Sequence, residues 1–123
     1  MDTIRIIIKD LILHAEVFET VTAKAIIQSL PIEARPHEWG DEFYFEIPVK
    51  MPLDETATTE VGVGDIGYWP PGNALAIFFG PTPISNGSEP IPASEVNLVG
   101  KIKGDAKVLK SAKGAQRIRI EKT

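Results

Sequence analysis

Residues 69–83, WPPGNALAIFFGPTP, contain the feature that most restricts this chain. A short apolar run, 74–79, has Pro70 and Pro71 ahead of it and Pro81 and Pro83 behind it. Proline has no N–H to give to a ladder and its ring fixes φ, so regular structure must stop at both ends. The run is too short for a helix and reads as a strand. Its apolar residues are consecutive rather than alternate, so it is expected to be buried on both faces. A fold built around it must cover both sides of one sheet strand.

The rest of the chain supplies partners for that strand. Ile4, Ile6 and Ile8 alternate with Arg5, Ile7 and Lys9, the pattern of a half-buried strand. Lys9-Asp10 allows a turn into a second strand over 11–15. One helix is predicted. Thr20 is its N-cap, Val21, Ala25 and Ile26 form its apolar stripe, and Pro31 stops it after Leu30. Short strands follow at 32–35 and 42–47, around the tip PHEWGD, with Phe43, Phe45 and Ile47 alternating against Glu42, Tyr44 and Glu46. Residues 61–68 read as an irregular strand and 80–95 as a loop. The last strands fall at 96–103 and 116–122, and 106–112 is open between a helical turn and another strand. About eight short strands with one clear helix predict a mainly β barrel or sandwich forming one domain over 1–123.

Composition sets outer limits. With 123 residues, 43% hydrophobic and 24% charged, the chain can bury a core. A net charge of −4 argues against nucleic-acid and anionic-membrane partners, which are bound through basic surface. The C-terminal third is locally basic (Lys101, Lys103, Lys107, Lys110, Lys113, Arg117, Arg119 and Lys122) and reads as a solvated edge. There is no cysteine, hence no disulfide or thiolate chemistry. The first residues, MDTIRIIIKD, do not resemble a signal peptide, and no stretch approaches the roughly 20 apolar residues of a membrane span. The expected location is cytoplasmic. NGS at Asn86 reads as a turn.

Chemical motifs are sparse. GVGDIG, residues 62–67, satisfies G-x-G-x-x-G, but YWPPG follows where a phosphate-holding helix should start, and Asp65 sits where phosphate charge would go. Its glycines are expected to serve a bulge or tight bend. HEWGDE, residues 37–42, gathers His37, Glu38, Asp41 and Glu42 without the spacing of a metal motif, so neither metal nor cofactor is expected. No G-x-S-x-G frames a nucleophile. Glu42 and Glu46 share one strand face and are expected to face solvent, and His14 is expected to be structural. The aromatics are more informative. Trp39, Tyr44, Tyr68 and Trp69 fall at strand ends or loop edges, where large rings either line a pocket or plug a barrel.

The long segment GDIGYWPPGNALAIFFGPTP (64–83), together with WGDEFYFEIPV (39–49) and NLVGKIKGD (97–105), resembles the cyclophilin-like family of small prokaryotic proteins of unknown function, reduced relatives of the cyclophilin peptidyl-prolyl isomerases. The likeness spans essentially the whole chain. It implies a closed eight-stranded β-barrel with one or two short capping helices. It also implies that Phe78 and Phe79 match the paired phenylalanines of the cyclophilin core strand, one of them facing a pocket. Cyclophilins carry an arginine on the strand matching 43–48, where it donates to the prolyl amide and lowers a barrier of about 18–20 kcal/mol. This chain offers Phe45 and Glu46 there, and no arginine between Arg35 and Arg117. An ionised glutamate only accepts hydrogen bonds.

The expected function is therefore binding of a small molecule or extended peptide in an aromatic-lined groove, without efficient prolyl isomerase activity. The candidate ligand-binding residues are Trp39, Glu42, Phe45, Tyr68, Trp69 and Phe79, the rings giving apolar contact and Glu42 polarity. The alternatives are a weak isomerase or another enzyme using the same groove, and a purely structural or subunit role. The sequence leaves the oligomeric state, a homodimer included, open.

Overall fold

The structure, a computed structural model, describes residues 2–123. Nine strands make one sheet: β1 (Asp2–Ile8), β2 (Leu11–Val17), β3 (Ile32–Ala34), β4 (His37–Glu38), β5 (Glu42–Glu46), β6 (Asp65–Trp69), β7 (Ala74–Phe78), β8 (Asn97–Ile102) and β9 (Ile118–Lys122). One α-helix, α1 (Val21–Gln28), follows β2, and 3-10 turns occupy Pro70–Gly72 and Ala106–Ala112. The helical option for 106–112 is thus the observed one. Asp105 caps it by accepting from the Lys107 N–H, and Leu109 is buried beneath it. Among the described residues no helix is long and apolar enough to cross a membrane.

The strand order is β3-β9-β1-β2-β8-β6-β7-β5-β4, with every pairing antiparallel. The two edge strands, β3 and β4, are neighbours in sequence, separated by Arg35 and Pro36. Three Cα steps reach about 11 Å at most, so the sheet curls until its edges come within that distance at this link. No ladder joins them. The closed eight-stranded barrel expected from the sequence is instead a curled, open half-barrel of nine strands. The physical reason lies at the edges themselves. β3 and β4 are only three and two residues long, and Pro36 between them has no N–H to donate.

Strand alternation fills the concave side. Ile4, Ile6 and Ile8, Phe43 and Phe45, Ile66 and Tyr68, Leu75 and Ile77, and Ile118 and Ile120 form the main core with Phe79. Alternate residues of β6 and β7 go to the opposite face. There Ala76 and Phe78 join Val61 and Val96 in a second apolar cluster, edged by Tyr44, Trp69 and Leu98. This double covering is why β7 is apolar at every position.

Two expectations about local structure change. The helix begins where predicted, with Thr20 Oγ1 accepting from the Ala23 N–H at 3.1 Å, but its buried face is Thr22, Ala23, Ile26 and Ile27, and Val21 is 57% exposed. A polar anchor sets that rotation. Thr22 Oγ1 donates to the Asp54 carboxylate (2.8 Å) and accepts from the Asn97 amide (3.1 Å). Asn97 also donates to Pro52 O and accepts from the Asp54 N–H. Partial burial pushes the Asp54 carboxyl up, but hydrogen bonds from Thr56 and Thr22 outweigh it and hold the group below its ordinary value. The second change is at 61–68, where only Asp65–Trp69 is strand. The residues before it form a turn in which the Gly62 N–H donates to Asp65 (2.7 Å).

The basic C-terminal third is largely neutralised by acidic groups from elsewhere. Lys101 pairs with Asp65, Lys110 and Lys113 with Asp41, and Arg117 and Arg119 with Glu33.

Candidate functional site

The outward positions of β5 are Glu42, Tyr44 and Glu46. Across the ladder, Glu42 lies opposite Phe78 and Tyr44 opposite Ala76 of β7. Ala76 in turn lies opposite Gly67 of β6, and Trp69 opposite Ala74. Gly67, Ala74 and Ala76 are the small residues of this face, and Ala76 is packed in the outer cluster with Phe78 and Val96. The segment before β8 packs along this face. Val96 sits directly over Gly67, where an added Cβ would lie 2.8 Å from Val96 Cγ2, and the β6–β8 register shifts between Ile66 and Gly67. The glycines of GVGDIG thus serve a turn and an irregular strand pairing. No helix follows them to hold a phosphate.

An open cavity of about 190 Å³ lies on this face. Trp39, Tyr44 and Trp69 supply rings, Pro92, Ala93 and Val96 an aliphatic wall, and Glu42 the one carboxyl group of the lining. The Tyr44 and Trp69 rings stand edge to face at 71°, their centroids 6.5 Å apart, so they form a corner. His37 packs on Tyr44 at 5.2 Å. The indole N–H of Trp69 donates to Ser94 Oγ at 2.7 Å, tying this ring to the wall segment.

Both proline arms hold tryptophans. Gly40, with φ +61°, turns β4 into β5 just after Trp39. A Cβ there would stand 2.9 Å from Pro81 O, Thr82 Cα and Pro83 Cδ, so the arm from 81 to 83 seats the turn closely. Asp41 N–H donates to Pro81 O (2.9 Å), and buried Thr82 donates to Ile91 O (2.6 Å), linking the arm to the wall segment. At the other end, the 3-10 turn Pro70–Gly72 directly follows Trp69. Asn73, with φ +47°, closes it onto Pro70 O.

Glu42 is the unusual group. Its residue is 7% exposed, and Oε1 is buried without a hydrogen-bond partner. Burial raises its carboxyl from 4.5 to about 7. Glu42 was expected to face solvent beside Glu46. Glu46 does, but Glu42 is buried and lines the cavity together with Trp39 and with Pro92, Ala93 and Val96 of the wall segment. A carboxyl titrating near neutrality can accept a proton, donate one, or hold a cation.

Of the six sequence candidates, Trp39, Glu42 and Trp69 meet at the cavity. Phe45, Tyr68 and Phe79 are each fully buried in the main core. Tyr68 is satisfied internally, its hydroxyl donating to Val49 O (2.6 Å) and accepting from the Met51 N–H (3.1 Å). Of the phenylalanine pair, Phe78 belongs to the outer cluster on the cavity's side and Phe79 packs on Phe43 inside. Tyr44, one of the edge aromatics expected to line a pocket or plug a barrel but not one of the six candidates, also lines the cavity. The candidates did not include Pro92, Ala93 and Val96, which no periodicity marks.

The acidic tip does not converge. His37 and Glu38 are exposed, Glu38 accepts from the Gly114 N–H (2.6 Å), and Asp41 pairs with Lys113 (2.6 Å). Among the described residues no three His, Cys, Asp or Glu side chains are grouped to hold a metal.

The sequence model of the Cyclophilin-like family matches residues 2–121. A hypothetical protein from Archaeoglobus fulgidus, solved in solution, is similar throughout, with 34% identity and a TM-score of 0.84 over 99% of this chain and 95% of that one. No curated protein matches the sequence.

Proposed function

The chain belongs to the cyclophilin-like family, and from that premise we propose that it is a binding domain whose site is the outer-face cavity, taking a small organic molecule or the tip of an extended peptide. Glu42 carries this reading. Burying a carboxyl with an unpaired oxygen costs free energy, and strongly shifted carboxyls in clefts cluster at binding and catalytic sites. The surrounding rings and aliphatic wall have the character of a small-molecule site, apolar with one placed polar group. At about 190 Å³ the cavity is below the roughly 300–1,000 Å³ usual for drug-sized ligands, which favours a compact one.

A fragment library screened by tryptophan fluorescence tests the reading, because the chain's two tryptophans, Trp39 and Trp69, both line the cavity. Hits are expected to shift or quench the emission, and Tyr44→Ala to weaken them. Hits that map by NMR to another face, or a library that never perturbs the emission, would sink it.

A second reading, weak prolyl isomerisation, draws on one observation. With its carboxyl raised to about 7, Glu42 is part protonated at neutrality and then offers an O–H donor from an outward position on β5. No outward residue of that strand is an arginine. An X-Pro peptide assay is expected to show no rate above background. An acceleration that fades as pH rises above 7 would favour the second reading.

A further inference from the structure

Resting on the reading of the cavity as a binding site, we propose that its occupant is a small organic cation, an alkyl- or arylammonium group. Glu42 is its counter-ion, and Trp39, Tyr44 and Trp69 are its aromatic walls. The cavity presents one carboxyl and no basic group, which disfavours anions. The nearby lysines are committed elsewhere, Lys110 and Lys113 to Asp41. A metal ion needs several ligands, and here one carboxylate stands alone among rings. A monovalent organic cation needs one counter-charge and apolar or π surface around its carbon atoms. Rings attract a cation lying within about 6 Å of their centroids. In the corner between Tyr44 and Trp69, whose centroids are 6.5 Å apart, one cationic group comes within range of both.

The neighbours of Glu42 leave its charge unbalanced. β7 contributes Phe78, β6 contributes Trp69, and the wall segment contributes Pro92, Ala93 and Val96. Tyr44 is the other titratable group of the lining, with His37 stacked behind it. Asp41, next in the chain, is neutralised by its lysines. Glu46 lies further along the same strand face, and Glu89 and Glu95 on the wall segment are exposed. Burial alone holds the Glu42 carboxyl at about 7. A bound cation supplies the missing opposite charge and draws the proton off.

Four probes test the proposal by tryptophan fluorescence and NMR: benzylammonium, benzyltrimethylammonium, benzyl alcohol and benzoate. At pH 8 both cations are expected to bind at least tenfold more tightly than benzyl alcohol, with benzoate weakest. Benzyltrimethylammonium has a fixed charge, so its pH dependence belongs to the protein. Its affinity is expected to fall about tenfold from pH 8 to pH 6, because binding requires the ionised carboxylate. Benzyl alcohol should show no such change. E42Q should remove both the charge preference and the pH dependence, and the wild-type pH profile tests the point without any variant. Benzyl alcohol binding as tightly as the cations overturns the proposal and leaves the binding-site reading intact. A pH-independent cation affinity also overturns it. If none of the four perturbs the cavity, the cation proposal fails, and the binding-site reading is then decided by the fragment library.

Discussion

Replacing Glu42 by glutamine separates the cost of the buried charge from the shape of the side chain. The wild-type carboxyl stands at about 7 in the folded protein against 4.5 ordinarily. At about 1.4 kcal/mol per pH unit, that gap corresponds to about 3 kcal/mol. The folded state therefore binds more protons than the unfolded one between pH 4.5 and 7. Stability must fall as pH rises through that window, and the loss is complete above about 7. Glutamine is neutral throughout and keeps the volume, but its buried amide lacks a partner at a cost of about 1 kcal/mol. E42Q is thus expected to be slightly less stable than wild type at pH 4.5 and about 2 kcal/mol more stable at pH 8.5. For a domain of this size that is a rise in Tm of roughly 5–10 °C. Urea and thermal melts of both proteins across this range supply the comparison, and other titrating groups cancel in the difference. A wild-type-minus-variant difference that is flat in pH would refute the argument, since Glu42 would then be ionised at little cost. A variant less stable at pH 8.5 would refute it more strongly, by showing that the carboxylate has a partner.

Two further substitutions probe the scaffold. Gly67→Ala sets a methyl 2.8 Å from Val96 Cγ2, so urea titration should show a loss of about 1–3 kcal/mol and fragment binding should weaken as the wall moves; an unchanged midpoint would mean that Val96 yields freely. Tyr68→Phe leaves Val49 O and the Met51 N–H without the hydroxyl, an expected loss of about 1–3 kcal/mol by urea titration with fragment binding retained; full stability with binding lost would place Tyr68 in contact with the ligand.

The fold was more legible in the sequence than the site. Alternation located β1 and β5, because each has one face in the core. The consecutive apolar residues of β7 signalled cover on two sides, supplied by the main core and by the outer cluster. The rotation of α1 was hidden, since its buried face is fixed by Thr22 bonding to Asp54 and Asn97, far away in sequence. Ring size drew Tyr68 into the candidate list, but its partners in the 49–51 segment satisfy it internally. The burial of Glu42 was invisible for a similar reason. The surroundings of Glu42 include Pro92, Ala93 and Val96, and a loop rich in proline and serine carries no period from which its path can be read.

The proline arms and the buried acid belong to one arrangement. Trp39 and Trp69 enter the cavity from separate parts of the chain, each beside a segment that prolines make stiff. A wall fixed before binding loses little conformational entropy when a ligand arrives, so weak contacts with a compact molecule count for more. The resemblance to cyclophilins implies an arginine on the strand matching 43–48, donating to an amide. Here its outward side chains are two glutamates and a tyrosine, with one glutamate enclosed by rings. Glu42 lies just ahead of that stretch, and its carboxylate is an acceptor suited to a cation, where an arginine is a donor suited to carbonyl oxygen. On the cation proposal, the class of ligand follows from the sign of that one buried group.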